Sequence, residues 1–322
     1  MTPAGRVELH THLEGSVTPA RLILLAEKYG QPGLPAALLT EDGSAYRFEG
    51  FHGFLNAFKD VTSLLRTPGD FHAAALDLGG ILKTDDVTYA EVSLSYGVLL
   101  KRNIDPVSVQ TALFEAAAEA RETDGVVMRW IPDAVRQWGV DAGWRAWETA
   151  ARAGRDLGVV GFGLGGDEAA GPASDFADLF SEVKGEGYGV TIHAGEIPAM
   201  GRAAVDSIRQ AVEECGADRI GHGLAAVQDP LILATLAARG VFVEMCPGSN
   251  VRTGGIPAWS DHPLREILDA GVPCSLNTDD RAMFDLDLEG EYRRAAEFAD
   301  LSPEEHDRMQ KAARQAAFHD LD

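Results

Sequence analysis

Two histidines one residue apart, His10 and His12 in the run Val7-Glu8-Leu9-His10-Thr11-His12, open the set of residues whose types and spacing could do chemistry. Alternate residues of a strand point the same way, so both imidazoles can face one point. Two neutral imidazoles converging on a point begin a zinc site. Three runs of compatible chemistry follow far downstream: Thr191-Ile192-His193-Ala194-Gly195-Glu196, Arg219-Ile220-Gly221-His222-Gly223 and Ser275-Leu276-Asn277-Thr278-Asp279-Asp280. Each ends a short apolar, β-branched run. Taken singly, each has an ordinary explanation: a satisfied core histidine, a Gly-His-Gly turn, an acidic loop solvated by water. Together, in a chain with 9 histidines, they point to one site.

Those residues must be positioned by something, and 322 residues allow two ordinary domains or one large α/β barrel. Eight strand candidates can be marked, near Arg6–His10, Tyr89–Ser95, Val126–Ile131, Val159–Leu164, Gly189–His193, Arg219–Gly221, Val241–Met245 and Pro273–Asn277. Several are near-continuous apolar runs, as expected of strands buried on both faces. Alanine-rich amphipathic stretches lie between most of them: Val107–Arg121, Trp144–Leu157, Ala203–Glu214, Pro230–Ala238 and Pro263–Ala270. Gly139 to Gly143 precede one of these stretches, and Gly158, Gly240 and Gly271 close others. Strand and helix alternating eight times reads as an α/β fold of the (β/α)8 TIM barrel type.

One connection breaks the repeat. Between about residues 13 and 86, helical stretches at Pro19–Tyr29, Phe51–Leu65 and Asp70–Lys83 form an insertion after the first strand, a candidate lid over the catalytic end. Its phenylalanines, Phe48, Phe51, Phe54 and Phe58, read as a packed helical core at least as readily as substrate contacts. With no linker elsewhere, residues 1–322 are expected to form a single domain. In a barrel the carboxyl ends of the strands share one mouth, which brings His10, His12, His193, His222 and Asp279 together.

Hydrophobic content of 45% is ample for such a core. A net charge of −22 and a pI near 4.7 exclude a polyanionic partner, since nucleic-acid binding needs a basic track. Cys215, Cys246 and Cys274 are odd in number and widely spaced, which suggests buried thiols in a reducing compartment. No signal-peptide pattern or membrane-length apolar run is visible, so a cytoplasmic location is expected.

The chain resembles the adenosine deaminase family of metal-dependent hydrolases over nearly its whole length. The resemblance rests on Glu8-Leu9-His10-Thr11-His12-Leu13-Glu14-Gly15, Gly165-Gly166-Asp167-Glu168, His193-Ala194-Gly195-Glu196, Ile220-Gly221-His222-Gly223 and Asn277-Thr278-Asp279-Asp280, in that order. It implies one zinc per chain and hydrolytic replacement of a purine 6-amino group by oxygen. By motif, His10, His12, His193 and Asp279 would hold the zinc, which lowers the pKa of a coordinated water toward roughly 7. His222 would accept or orient the water's proton, and Glu196, kept protonated by burial, would donate to ring N1. Asp280 would meet the N7 edge, diverging from Asp279 along an extended segment. Gly166 would bring its backbone amide to N3. Glu196 as a carboxylate orienting a metal ligand, and Asp280 as a helix cap, stay open.

Departures from the adenosine-specific pattern bear on substrate. Glu14 stands where those members usually carry Asp toward the sugar, Gly163 where they often have Asp, and Arg281 where proline is common. A longer Glu14 and a roomier Gly163 suggest that the N9 substituent is not plain ribose. Phe162-Gly163-Leu164-Gly165-Gly166, Trp130 and Met283-Phe284 resemble the branch acting on 6-aminodeoxyfutalosine, a menaquinone-pathway nucleoside bearing an aromatic carboxylate. Arg281, Arg252 and Arg202 are candidate cations for that carboxylate, or else solvated surface charges. Adenine deaminases share Glu after the first motif but tend to read Ile-Asp-His-Gly and Ser-Ser-Glu. The expected substrate is therefore a small purine nucleoside, which has no phosphate to hold and suits an acidic surface. Deamination of free adenine is the alternative. A barrel hydrolase of amides or phosphoesters is another, though the two-metal versions need a bridging lysine and only Lys184 is near.

Overall fold

The computed structural model describes residues 5–321. Its 8 strands are parallel and pair in chain order. They are β1 (Arg6–His12), β2 (Val87–Leu94), β3 (Val127–Val135), β4 (Gly161–Gly165), β5 (Gly189–Ala194), β6 (Arg219–His222), β7 (Phe242–Met245) and β8 (Cys274–Leu276). Past the end of β8, Asp279 makes a parallel bridge to Thr11. There His12 N–H donates to the Asp279 carbonyl at 3.0 Å, and Asp279 N–H donates to the His10 carbonyl at 3.0 Å. The ring is a (β/α)8 barrel.

Local chemistry sets the outer helices. Asp105 accepts from Val107 and Ser108 N–H at the start of helix Pro106–Asp124, Pro106 fits the first turn, and Gly125 ends it at φ 75°. Asp229, Pro230 and Gly240 do the same for helix Pro230–Arg239. Several bounds differ from expectation. Gly143 lies inside helix Val140–Ala153, because Phe176 and Leu179 pack where its Cβ would stand. β4 begins only at Gly161, with Val159 limited to a single bridge to Trp130. β3 continues past Ile131 and carries Asp133 into the barrel. β8 stops at Leu276, since Asn277 turns its amide back onto the Ser275 and Met245 carbonyls and accepts Leu9 N–H at 3.0 Å.

Between β1 and β2 stand helices Pro19–Lys28, Leu34–Leu38, Gly50–Thr62 and Pro68–Thr84. The last packs on β2 and on helix Pro106–Asp124, so it is an ordinary outer-ring helix and only the chain before it is additional. The phenylalanines of that additional part form a packed cluster. The Phe54 ring lies 5.7 Å from Phe48, 5.9 Å from Phe58 and 4.8 Å from Phe284 beyond β8.

Below the barrel, helix Pro303–Ala316 packs on β1 and β8. Phe318, just after it, lies over the Arg219 guanidinium at 3.6 Å from the ring centre. Its ring fills the space left by Gly161 and Gly189, where any Cβ would overlap it. Arg219 is buried and pairs with Glu91 and Glu244, each at 2.6 Å. No helix among the described residues is long and apolar enough to cross a membrane. Gly189→Ala should lower stability in urea unfolding by about 1–3 kcal/mol through overpacking. The same change in a Phe318→Ala background should be nearly neutral, and equal losses in both backgrounds would contradict this packing of Phe318.

Candidate active site

β1 supplies His10 and His12, β5 supplies His193, and the turn after β8 supplies Asp279, with ligand atoms that all lie within 4.8 Å of one another. Asp279 Oδ1 is 3.5 Å from His10 Nε2 and 3.3 Å from His12 Nε2. The outward atoms of three of the four are already engaged. His10 Nδ1 meets Glu244 Oε2 at 2.6 Å, His193 Nδ1 donates to the Leu164 carbonyl at 3.2 Å, and Asp279 Oδ2 accepts from Ser249 Oγ at 2.6 Å. His10 Nε2 is buried with no hydrogen-bond partner. Nitrogen and oxygen donors pinned from behind, with one inward atom unsatisfied, fit a metal of the zinc type. Burial and the neighbouring imidazoles of His10 and His222 hold His193 well below the usual histidine range, which leaves its lone pair available. His222, Cys246 and Asp279 form a second compact group. There burial pushes the Cys246 thiol well above its usual range, and a thiol that resists ionisation is the poorer ligand.

Glu196 sits beyond this group. Glu168 accepts Gly195 N–H at 2.5 Å and Glu196 N–H at 3.0 Å, while Arg136 donates to the His193 and Gly171 carbonyls. These two residues clamp the turn. The Glu196 carboxyl is pushed up to about 8 by burial, with Asp279 and Glu168 adding to the effect. Its Oε2 lies 3.9 Å from His222 Nε2, which is 4.0 Å from Asp279 Oδ2. On its other side, His222 Nδ1 is 3.1 Å from the Asn250 amide nitrogen.

β7 and the helix after it, Pro247–Thr253, carried no expected catalytic or metal-binding residue, yet Glu244, Ser249 and Asn250 touch His10, Asp279 and His222. The signal was present. Glu244 is a carboxylate inside an otherwise apolar buried strand, and such a group must have a partner.

Asp280 is buried, its Oδ1 has no partner, and Gly15 faces it so closely that a Cβ there would overlap the carboxyl. It makes no capping bond to the short helix Arg281–Phe284. The two aspartates diverge because Asp279 turns into the left-handed region at φ 61°, and not along an extended segment. Glu14 is buried as well. Its Oε1 accepts Ser95 N–H at 3.0 Å, its Oε2 has no partner, and burial and then Asp133 push it up to about 8. Asp133 was missed. It accepts from Ser95 Oγ at 2.8 Å, and burial pushes it up to about 7.

The readings of Gly163 and Arg281 are corrected, and the other residues named from the sequence are placed as follows. Gly163 is not roomy: it is in register with Asp133, whose Cβ lies 3.3 Å from where a side chain would start, so β3 supplies the carboxylate that β4 lacks. At Gly166, φ is 97° and a Cβ would overlap the Gln137 side chain, which accepts Asp167 N–H at 3.1 Å. Arg281 is neither on the surface nor free. It is fully buried and bonds Glu8 at 3.0 Å and Asp85 at 2.9 Å. Arg202 is exposed and paired with Asp206 and Asp229, whereas Arg252 lies over the Phe48 ring at 5.6 Å. Trp130 packs beside Gly158 on the side of β3 opposite to Asp133, facing the outer helices. Lys184 donates to Asp218 at 2.6 Å and to the Gly216 carbonyl.

The family model described as "Adenosine deaminase" matches residues 5–322. The chain belongs to the adenosine deaminase family. It is an enzyme, a purine deaminase of a metal-dependent group. An aminodeoxyfutalosine deaminase of Acidothermus cellulolyticus is 38% identical over 295 residues, covering 90% of this chain and 82% of the relative. An adenine deaminase of Mesorhizobium japonicum is 34% identical over 315 residues, covering 98% and 94%. Among solved structures, an adenine deaminase from Arthrobacter aurescens superposes with a TM-score of 0.87 at 23% identity, covering 98% of this chain and 94% of that one. An Arabidopsis N6-mAMP deaminase gives a TM-score of 0.85 at 23% identity, with coverages of 98% and 94%. At that identity the likeness is one of fold.

Three outcomes follow from this geometry. Ser249→Ala frees Asp279 Oδ2 and should weaken metal retention by roughly 10–100-fold in a chelator competition, with the fold intact by circular dichroism. A carboxyl held near 8 donates below that pH and is spent above it, so kcat/KM should fall as pH rises through about 8. Glu196→Gln should lose roughly 10²–10⁴-fold in kcat, keep its metal, and no longer show that basic limb. A loss confined to KM would contradict the acid assignment.

Proposed function

We propose that this enzyme is a zinc-dependent deaminase, with one zinc per chain, that replaces the 6-amino group of a purine nucleoside with oxygen and releases ammonia. The observation that carries the reading is a buried carboxyl held near its neutral form, Glu196, facing His222 across a three-imidazole, one-carboxylate group. His10, His12, His193 and Asp279 would hold the zinc, and the unsatisfied Nε2 of His10 is an atom that a cation completes. Zinc, when bound, supplies activation of water at neutral pH. Glu196 gives its proton to ring N1, which relieves the charge that builds there as C6 is attacked. His222 holds the attacking water. Asp280 meets N7, the Gly166 amide meets N3, and Glu14 faces the group on N9. The insertion and barrel act as one catalytic unit, working on a small molecule in the cytoplasm.

The nucleoside is 6-aminodeoxyfutalosine or adenosine. Support comes from the relative named for the former, from Ile220-Gly221-His222-Gly223, and from Glu14 beside Asp133. Two adjacent buried carboxyl groups with an unpartnered oxygen suit the hydroxyls of a sugar, which a free base lacks. Free adenine is the second reading. It is favoured by the relatives named adenine deaminase and by the same Glu14 Oε2, which could accept N9–H.

A panel of adenine, adenosine and 6-aminodeoxyfutalosine, followed by the ultraviolet change on deamination, decides between them. The expected order of kcat/KM places 6-aminodeoxyfutalosine equal to or above adenosine, with adenine last, since remote contacts raise kcat/KM only where the substrate carries the remote group. Adenine in first place would establish the second reading. Metal analysis should return one zinc per chain, and His193→Ala should lose both zinc and turnover. Two metals per chain, or full zinc and turnover in that variant, would overturn the site.

A further inference from the structure

Asn250 is completely buried on helix Pro247–Thr253, and its side chain reaches the one site histidine that lies outside the four-residue metal group. Its Nδ2 is 3.1 Å from His222 Nδ1, while its Oδ1 has no hydrogen-bond partner. With the amide NH2 turned toward the ring, Asn250 donates and His222 Nδ1 accepts with its lone pair. In a neutral imidazole the proton is then on Nε2. On its other side, Nε2 faces Glu196 Oε2 at 3.9 Å and Asp279 Oδ2 at 4.0 Å, both beyond hydrogen-bond reach. Full burial of the ring disfavours the doubly protonated form.

We infer that Asn250 is a positioning residue that fixes His222 as the Nε2–H tautomer, so that His222 donates to the oxygen of the attacking water and does not remove its proton. What that oxygen belongs to rests on the deaminase reading above; the tautomer does not. The protons then balance through Glu196 alone. Its proton goes to N1, and the freed carboxylate takes the proton that water loses as its oxygen bonds to C6. The same carboxyl protonates the amino nitrogen as the C6–N bond breaks and its electron pair leaves with ammonia. It then recovers a proton from the C6 hydroxyl as the carbonyl forms.

Asn250→Asp reverses the instruction, since a carboxylate only accepts and draws the imidazole proton to Nδ1. Nitrogen NMR of the metal-loaded protein with ¹⁵N-labelled histidine reads the tautomer, with the His222 signals assigned by their loss in His222→Gln. The wild-type protein should show a protonated Nε2 and a bare Nδ1 at His222. Asn250→Asp should invert that pattern and lower kcat by roughly 10–100-fold, with KM and metal content unchanged. A proton on Nδ1 in the wild-type protein overturns the inference whatever the variant does. So does an Asn250→Asp enzyme as fast as the wild type. Should none of the three purines be deaminated, the deaminase reading fails by itself, and the wild-type spectrum still decides the tautomer.

Discussion

The barrel closes through its own candidate site. The last two strands to meet, β8 and β1, are joined where Asp279 exchanges backbone hydrogen bonds with His10 and His12. Three of the four residues grouped for metal binding are therefore the residues that complete the ring. Ring closure and site assembly are one event, so the donors cannot separate without opening the sheet. The closure is supported from behind: Glu8 accepts Thr278 N–H at 2.9 Å and Arg281 at 3.0 Å, and Arg281 also reaches Asp85, which precedes β2.

Buried arginines organise the rest. Arg219 draws Glu91 and Glu244 toward the barrel floor, and Glu244 reaches up to His10, so a cation at the base of the barrel sets the orientation of a ligand. Arg281 does this for Glu8 at the closure. Ion pairs so buried contribute little net stability, because desolvation offsets attraction. Their effect is to fix geometry. Removing one partner would leave an uncompensated charge beside the metal group.

The alternation of apolar strands and amphipathic helices was enough to read the barrel, and the ends of β1, β5, β6 and β8 were enough to collect the histidines and Asp279. What escaped was whatever depends on one strand facing another. Asp133 was invisible because β3 was read as ending at Ile131, and the Gly163 argument failed for the same reason: the occupant of that space comes from the neighbouring strand in register. Arg281 was read as a cation for a substrate carboxylate or else a surface charge, because nothing local shows that Glu8 and Asp85, both far away in the chain, enclose it. Ser249 and Asn250 follow β7 in a run with no histidine or acid to draw notice, yet they hold Asp279 and His222.

The carboxyl groups on the substrate side behave unlike those of the floor. Glu91 and Glu244 share the Arg219 guanidinium, and Glu244 is held below the usual range even though burial opposes this, chiefly by Arg219 and His10. Glu14, Asp133, Asp280 and Glu196 have no such partner and are pushed up, by burial first in every case. Arg136, which follows Asp133 by three residues, donates to backbone carbonyls, and Glu168 gives both of its oxygens to backbone N–H groups. Charge near Glu196 is thus used to shape the turn and not to ionise the side chain it presents. A carboxyl in that setting keeps its proton at neutral pH and can donate it to a ring nitrogen. The same group paired with an arginine could only accept.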